Sequence, residues 1–300
     1  MVFSIIVTSH NQRQFIRDAV DSALVARVAD TEVIVVDDAS SDGSLELLRE
    51  YGDAIRLVCL DSHAGACAAR NQGASLAKGE YLVSLDGDDA LQPWALRVYE
   101  RVIRTRKPKL ILASMLWFQG ALPVARPGEY PQEIRIAEYE DYLRKDRTFG
   151  PSASAMVVDR QSFLDVGGWS NDWTLLDDVE LLIKLSSSGR TVQILSPHTV
   201  SYRVHPGNTI HDVPGYVRHL HRLLQKEGSG AYPGGRRRRR ERYAVMGGHI
   251  IAFVKRAVES GLYRDALQLF LRGLPVLFAS TLRRFRIVLR GRGPCETIAL

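Results

Sequence analysis

Cysteine is scarce in this 300-residue chain. Cys59, Cys67 and Cys295 follow no metal-ligand spacing and make no disulfide framework, so the fold must rest on its core, and a reducing cytoplasm is the expected home. Long apolar runs are absent as well. The longest, around Gly273 to Leu282, is too short to cross a bilayer, and no signal-peptide pattern precedes Met1-Val2-Phe3, which reads as the start of a strand. A phosphate-cradling loop of Gly, Arg or Lys is missing after that strand, where Ser9-His10-Asn11-Gln12 stands instead. This weighs against a nucleotidyltransferase.

What the chain does have is material for one large or two modest domains. Its hydrophobic share of 45 % and charged share of 25 % are those of a soluble globular protein. The net charge of +6 hides a gradient. Residues 1–100 hold 8 Lys and Arg against 16 Asp and Glu, residues 101–200 hold 13 against 12, and residues 201–300 hold 19 against 6. Such asymmetry points to an anionic partner for the C-terminal third, a membrane surface or a nucleic acid.

Strand and helix patterns alternate through residues 1–115. Phe3–Thr8 is an apolar strand, followed by a helix whose Phe15, Ile16, Ala19, Val20, Ala23 and Leu24 share one face. Glu32–Val36 is a β-branched strand ending in Asp37-Asp38. Ser40–Ser44 then supplies the turn and N-cap of a helix through Leu45, Leu47 and Leu48. Ile55–Leu60 is a third strand, and a helix over Ala66–Leu76 leads to a fourth. The alternation predicts a parallel, doubly wound sheet. Its ligands should gather at the carboxyl ends of the strands, at Thr8 to Asn11, Asp37 and Asp38, and Asp86 to Asp89.

The fourth strand carries the strongest chemical signal. In GEYLVSLDGDDAL, Gly79 to Leu91, an apolar run through Tyr81, Leu82, Val83 and Leu85 ends in Asp86, Asp88 and Asp89. Carboxylates bunched so tightly repel one another unless a cation sits among them. Hard oxygen ligands on an open loop suit Mg²⁺ or Mn²⁺ shared with a diphosphate. A solvated acidic turn capping the next helix is the plainer use of the same residues.

The blocks VTSHN (Val7–Asn11), VDDASSDGS (Val36–Ser44), GACAARNQG (Gly65–Gly73), GEYLVSLDGDD (Gly79–Asp89), GGW (Gly167–Trp169), DDVELLIKL (Asp177–Leu185) and YRVHPGN (Tyr202–Asn208) follow one another in that order. Together they resemble a family 2 glycosyltransferase of the GT-A fold, over about residues 2 to 210. One such block is a weak signal; seven in order and spacing are a strong one. The resemblance implies an α/β fold with a mixed, mainly parallel, Rossmann-like GT-A sheet flanked by helices. It divides the chain into a catalytic domain over 1–212, donor half about 1–115 and acceptor half about 116–212, and a helical, Arg-rich region over 213–300. The implied reaction is a metal-dependent, inverting transfer from a nucleotide-diphosphate sugar, a UDP-sugar by analogy, to a hydroxyl of a glycan or lipid-linked acceptor.

The resemblance also distributes roles. Thr8 and Asn11 would line base and ribose, and Asp38 would face the base edge, where an acceptor-only carboxylate suits a ring N–H. Asp37 belongs either beside it or as a cap of the Ser40–Ser44 turn. Arg70 and Asn71 would address base or diphosphate oxygens, although Arg70 also suits a helix-surface salt bridge. Asp86 is expected on the ribose hydroxyls and Asp88 on the Mn²⁺ or Mg²⁺. Asp89 would bind donor-sugar hydroxyls or cap the helix beginning near Pro93. His205 would offer the metal or diphosphate an imidazole, or serve as a structural histidine. Asp178 is the expected base, paired with an acceptor-side Asp177 where relatives carry Glu-Asp. Both also suit the amino end of the Val179–Ser187 helix. Gly167 and Gly168 would let the backbone approach the acceptor sugar, with Trp169 stacking on a sugar face or filling the core.

Past Asn208 the resemblance fades. Val217–Leu224 reads as a helix, Gly228–Gly235 as a flexible linker, and Arg236–Arg240 as five arginines entering a helix through Ile250, Ile251, Phe253 and Val254. A helix over Tyr263–Leu271 follows. In Val276–Arg292, apolar residues interleave with Arg283, Arg284, Arg286, Arg290 and Arg292, the pattern of an amphipathic element on an anionic bilayer. A cytoplasmic protein, peripheral on the inner face of the plasma membrane, is expected. For the arginine run a solvated charged helix is the plainer reading. No nucleic-acid partner is expected, because neither aromatic stacking positions nor a recognisable nucleic-acid fold accompanies the charge. A non-enzymatic polyanion-binding module is the remaining alternative, and it would have no need of Asp88 or Asp178.

Overall fold

The computed structural model describes residues 2–123, 130–147 and 152–300. The first half of the chain forms β1 Phe3–Ser9, α1 Ile16–Val25, β2 Thr31–Asp37, α2 Ser44–Arg49, β3 Arg56–Cys59, α3 Ala66–Leu76, β4 Tyr81–Asp86, β5 Ala90–Leu91, α4 Ala95–Arg106, β6 Leu110–Leu112, β7 Met115–Phe118 and β8 Glu133–Tyr139. The second half forms β9 Met156–Asp159, α5 Arg160–Asp165, α6 Asp177–Lys184, β10 Thr191–Ser196, β11 Val200–Arg203, α7 Val213–Ser229, α8 Arg239–Glu259, α9 Tyr263–Arg290 and β12 Glu296–Ala299. One sheet runs β12-β8-β10-β6-β9-β4-β1-β2-β3 and a smaller one β5-β11-β7.

The four strands legible in the first hundred residues are the parallel part, β4-β1-β2-β3. Antiparallel β9 sits between β4 and β6 and makes the sheet mixed. All seven residues of β1 are buried, as befits a strand covered on both faces. The pleat sends its side chains alternately to two cores. Ile6, Ile34, Val36 and Leu82 go to one, and Phe3, Ile5, Val7, Val35 and Val83 to the other. Register sets the functional edge, since Thr8 pairs with Asp86 and Ser9 with Asp37. The polar residues at three strand exits therefore stand level, at the end where a parallel sheet offers its crevice.

The C-terminal third corrects three expectations. The segment read as a flexible linker is pinned. Gly228 and Ser229 close α7, Tyr232 is buried, and Arg242 donates to the carbonyls of Pro233 at 2.6 Å and Gly235 at 2.5 Å. Arg242 is itself fully buried and holds the equally buried Glu227 by a forked contact of 2.6 and 2.9 Å. A buried ion pair needs its remaining donors satisfied, and the loop carbonyls do this. Second, Tyr263–Leu271 and all of Val276–Arg292 but its last two residues belong to one 28-residue helix, α9, which ends at Arg290. Gly273 does not break it but lets α8 approach, for a Cβ there would lie 2.7 Å from Ile250; Pro275 is on the exposed side. Third, the region over 213–300 is not helical throughout: β12 returns to the large sheet and pairs antiparallel with β8.

Of the five consecutive arginines, Arg238 pairs with Asp141 and Glu241, and Arg239 donates to the carbonyls of Glu227 and Gly228. Arg236, Arg237 and Arg240 are exposed. The core beneath is continuous, passing from Ile6 and Val36 through Trp173 and Leu182 to Leu220, Met246, Ile250 and Leu269 of the terminal helices.

Candidate functional site

A crevice of about 870 Å³ opens at the carboxyl ends of β1, β2 and β4. Of the residues singled out from the sequence, Thr8, Asn11, Asp38, Arg70, Asp86, Asp88, Asp177, Asp178 and His205 line it; Asn71, Asp89, Gly168 and Trp169 do not. Gly87 explains how the acidic loop reaches the exit of β1. A Cβ there would lie 2.3 Å from Gln12 Oε1 and 2.8 Å from the Thr8 carbonyl, which accepts the Gly87 N–H at 2.9 Å.

At one end the side chains fasten loops to strand exits. Asp38 accepts the amides of Ala64 and Gly65 at 2.7 and 2.8 Å, and His63 stands 2.9 Å from it. Of a carboxylate's roughly four acceptor positions, one on Oδ1 then remains for a ligand. Asn11, in left-handed backbone at φ 53°, accepts the Ser41 amide. Asp37 accepts the Ser40 amide at 3.0 Å and is the cap of that turn, while its Oδ1 and Gln12 Oε1 are buried without a partner.

In the middle of the crevice Arg70, 5 % exposed, spans two carboxylates. Its Nη2 donates to Asp86 at 2.6 Å and its Nη1 to Asp177 at 2.7 Å, while Nε has no partner. The exchange keeps the guanidinium charged despite burial. Across from it, His205 Nε2 lies 2.9 Å from Asp88 Oδ2. The Gly207 N–H donates to His205 Nδ1, so the ring proton sits on Nε2 and points at Asp88. Burial, then the nearby Asp86, pushes the Asp88 carboxyl up. Asp88 beside Asp86 offers hard carboxylate oxygens of the kind that suit Mn²⁺ or Mg²⁺, and His205 orients Asp88.

Asp89 turns the other way. Its oxygens accept Ser154 Oγ at 2.6 Å and the Arg203 amide at 2.9 Å, and burial followed by Asp88 and Asp86 pushes its carboxyl well up. It anchors β11 to the acidic loop rather than facing a sugar or capping a helix. Asn71 is likewise turned away from the crevice. It accepts the Trp169 amide at 2.9 Å and donates to the Trp169 carbonyl at 2.7 Å, clamping the GGW turn. Trp169 is buried, with the Arg70 guanidinium 4.8 Å over its ring. The GGW turn thus supports Arg70 from behind, where a large aromatic face favours a desolvated cation.

Asp178 is the second residue of α6. Burial, then the adjacent Asp177, pushes its carboxyl up to about 7, and its Oδ1 accepts only the neighbouring Val179 amide. Leu176 just before it holds left-handed backbone, φ 59°. A leucine there is strained, and the strain turns the chain so that both aspartates enter the crevice.

Several residues in or behind the crevice wall carry no signal read from the sequence. Arg203, in the YRVHPGN block, is almost buried and ties the Asp88 carbonyl, the Gly120 carbonyl and Asp18 together. Trp117 and Tyr202 face each other across β7 and β11 in register, rings 4.4 Å apart, and with Tyr216 form an aromatic side to the crevice. His10 and His63 stack at 3.8 Å beside Asp38, the one His–Asp cluster of metal-binding proximity among the described residues. Their neighbourhood in the VTSHN block and just before GACAARNQG was the available clue.

Comparison with known proteins places this geometry. The model of Glycosyl transferase family 2 matches residues 4–167. The succinoglycan biosynthesis protein ExoO of Rhizobium meliloti is 38 % identical over 93 residues, 31 % of this chain and 27 % of that protein. The UDP-Glc:α-D-GlcNAc-diphosphoundecaprenol β-1,3-glucosyltransferase WfaP of Escherichia coli is 24 % identical over 209 residues, 68 % of this chain and 78 % of that one. The chain spans 27 to 62 % of the length of four of the curated relatives it matches, ExoO among them. In fold it is similar to S. aureus TarS 1–349 in complex with UDP-GlcNAc, with a TM-score of 0.61 at 15 % identity over 97 % of this chain and 93 % of that one.

Proposed function

The chain belongs to glycosyl transferase family 2, and from that premise we propose that it transfers a sugar from a nucleoside-diphosphate sugar to an acceptor hydroxyl with inversion. The observation that carries the reading is Asp178: a carboxyl raised to about 7 in the same crevice as Arg70, Asp88 and His205. A base near neutrality can take a hydroxyl proton at physiological pH and release it afterwards. With Asp178 as that base, the acceptor hydroxyl would attack the sugar carbon directly, from the face opposite the leaving diphosphate, as inversion requires.

The chain's residues divide the work. Thr8, Asn11 and the remaining acceptor position of Asp38 would hold the nucleoside. Asp86, positioned by Arg70, would take the ribose hydroxyls. Asp88, oriented by His205, would hold the divalent cation, which supplies charge neutralisation to the departing diphosphate. The Trp117–Tyr202 pair would receive an acceptor sugar, whose apolar face suits aromatic rings. A uridine diphosphate donor is favoured because TarS was crystallised with UDP-GlcNAc and WfaP is named for UDP-Glc. WfaP's name also supports a lipid-linked glycan as acceptor in surface polysaccharide synthesis. The two-part organisation, 1–212 catalytic and 213–300 accessory, is retained in this reading.

Calorimetric titration with UDP, GDP, dTDP and CDP, each with and without Mn²⁺, tests it. Binding of one nucleotide that depends on Mn²⁺ is expected. Folded protein that binds none of them with the cation present would remove the donor-site assignment.

A further inference from the structure

We propose that α9 lies in the surface plane of an anionic lipid bilayer, through one apolar stripe on its outward face. One side of the helix is spent on the fold: Ala266, Leu269, Gly273 and Val276 are buried against α8. The opposite side is not polar, as a solvated helix would be. Leu267, Leu271, Leu274, Phe278, Phe285 and Leu289 are all exposed, Phe278 at 73 % and Leu289 at 69 %. Their spacings of three, four and seven put them on one line along the helix. From Leu267 to Leu289, at 1.5 Å per residue, the line runs for about 33 Å, a continuous stripe rather than singly scattered surface apolar residues.

The charge beside the stripe identifies its occupant. From Ala266 to Cys295 the chain holds Arg272, Arg283, Arg284, Arg286, Arg290 and Arg292 and no Asp or Glu. A second copy of the same face would bring these arginines against one another. Anionic headgroups instead pair with them while acyl chains receive the leucines and phenylalanines. No helix among the described residues is long and apolar enough to cross a membrane. The tie of β12 to β8 beyond Arg290 also fixes the far end of α9 to the sheet, so the helix rests on the bilayer. This placement is independent of the transfer reaction, and its test does not read it.

Full-length protein is to be co-sedimented with vesicles of phosphatidylcholine alone and of phosphatidylcholine with phosphatidylglycerol, at low and high salt. We expect binding to the anionic vesicles, released by salt. Phe278→Asp with Phe285→Asp should lower partition at least tenfold, as should Arg284→Gln with Arg286→Gln and Arg290→Gln, each arginine being worth severalfold at such a surface. Circular dichroism and thermal unfolding, unchanged because these side chains are exposed, separate a surface effect from misfolding. Failure of the wild-type chain to bind anionic vesicles would overturn the proposal. So would equal binding by the phenylalanine variant, or a dimer in sedimentation equilibrium that Phe278→Asp dissociates.

Discussion

Burial, then Asp177, pushes the Asp178 carboxyl up to about 7, so its ionised, proton-accepting form is lost as pH falls below that range. The sign follows: transfer should fall about tenfold per pH unit below 7 and level off above it. Nucleotide binding, which depends on other groups, should not share that profile. Asp178→Asn should keep cation-dependent nucleotide binding and lose about 10²–10⁴ in kcat; full activity would remove Asp178 from the mechanism. Asp88→Asn acts earlier, and should weaken nucleotide binding in Mn²⁺ while leaving the weaker cation-free binding in place. Calorimetry distinguishes the two. What the sequence disclosed at this scale was the presence of charged blocks, because spacing along strands and helices fixes which residues reach a strand exit. It did not disclose direction. Asp89 and Asn71 lie beside crevice residues in the chain but turn into the protein, toward Ser154, Arg203 and the Trp169 backbone, partners supplied by distant segments.

Elements were legible where their pattern is local. β1, β2 and β4 are continuous apolar runs, and such runs are buried strands whichever neighbours they find. α9 was not legible as one helix because Gly273 and Pro275 carry the same signature as a break. Only its partner α8 shows that the glycines serve close contact. Gly247 is the tightest point, where a Cβ would lie 2.2 Å from that of Ser280. Gly247→Val should force the helices apart and cost about 1–3 kcal/mol of stability. Chemical denaturation measures it, and an unchanged midpoint would mean the pair can separate freely. β12 gave no signal at all, since four residues of ETIA become a strand only beside β8.

Across the whole molecule the charge gradient has a physical counterpart. The acidic first third builds the crevice wall, and the basic last third builds three helices that share its core. The Arg242–Glu227 pair holds α7 to α8 inside that unit, away from water. Glu227→Ala would leave a guanidinium buried with only carbonyl partners, at a cost of about 3–5 kcal/mol. Because the core is continuous, the loss should lower the unfolding midpoint of crevice and helices together. Separate transitions, followed by nucleotide binding and by helical circular dichroism, would contradict a shared core.

The return of β12 has a consequence in time. On the edge of β8 that β12 covers, Ile136 has Glu296 as its partner, and among the described residues no other strand pairs that edge. A chain folds during synthesis from its amino end, so β8 presents bare amides and carbonyls until its last neighbour arrives. Through that interval the growing molecule carries an open edge of the kind that recruits foreign strands. The four residues of β12 close that seven-residue edge and leave in its place their own, shorter one.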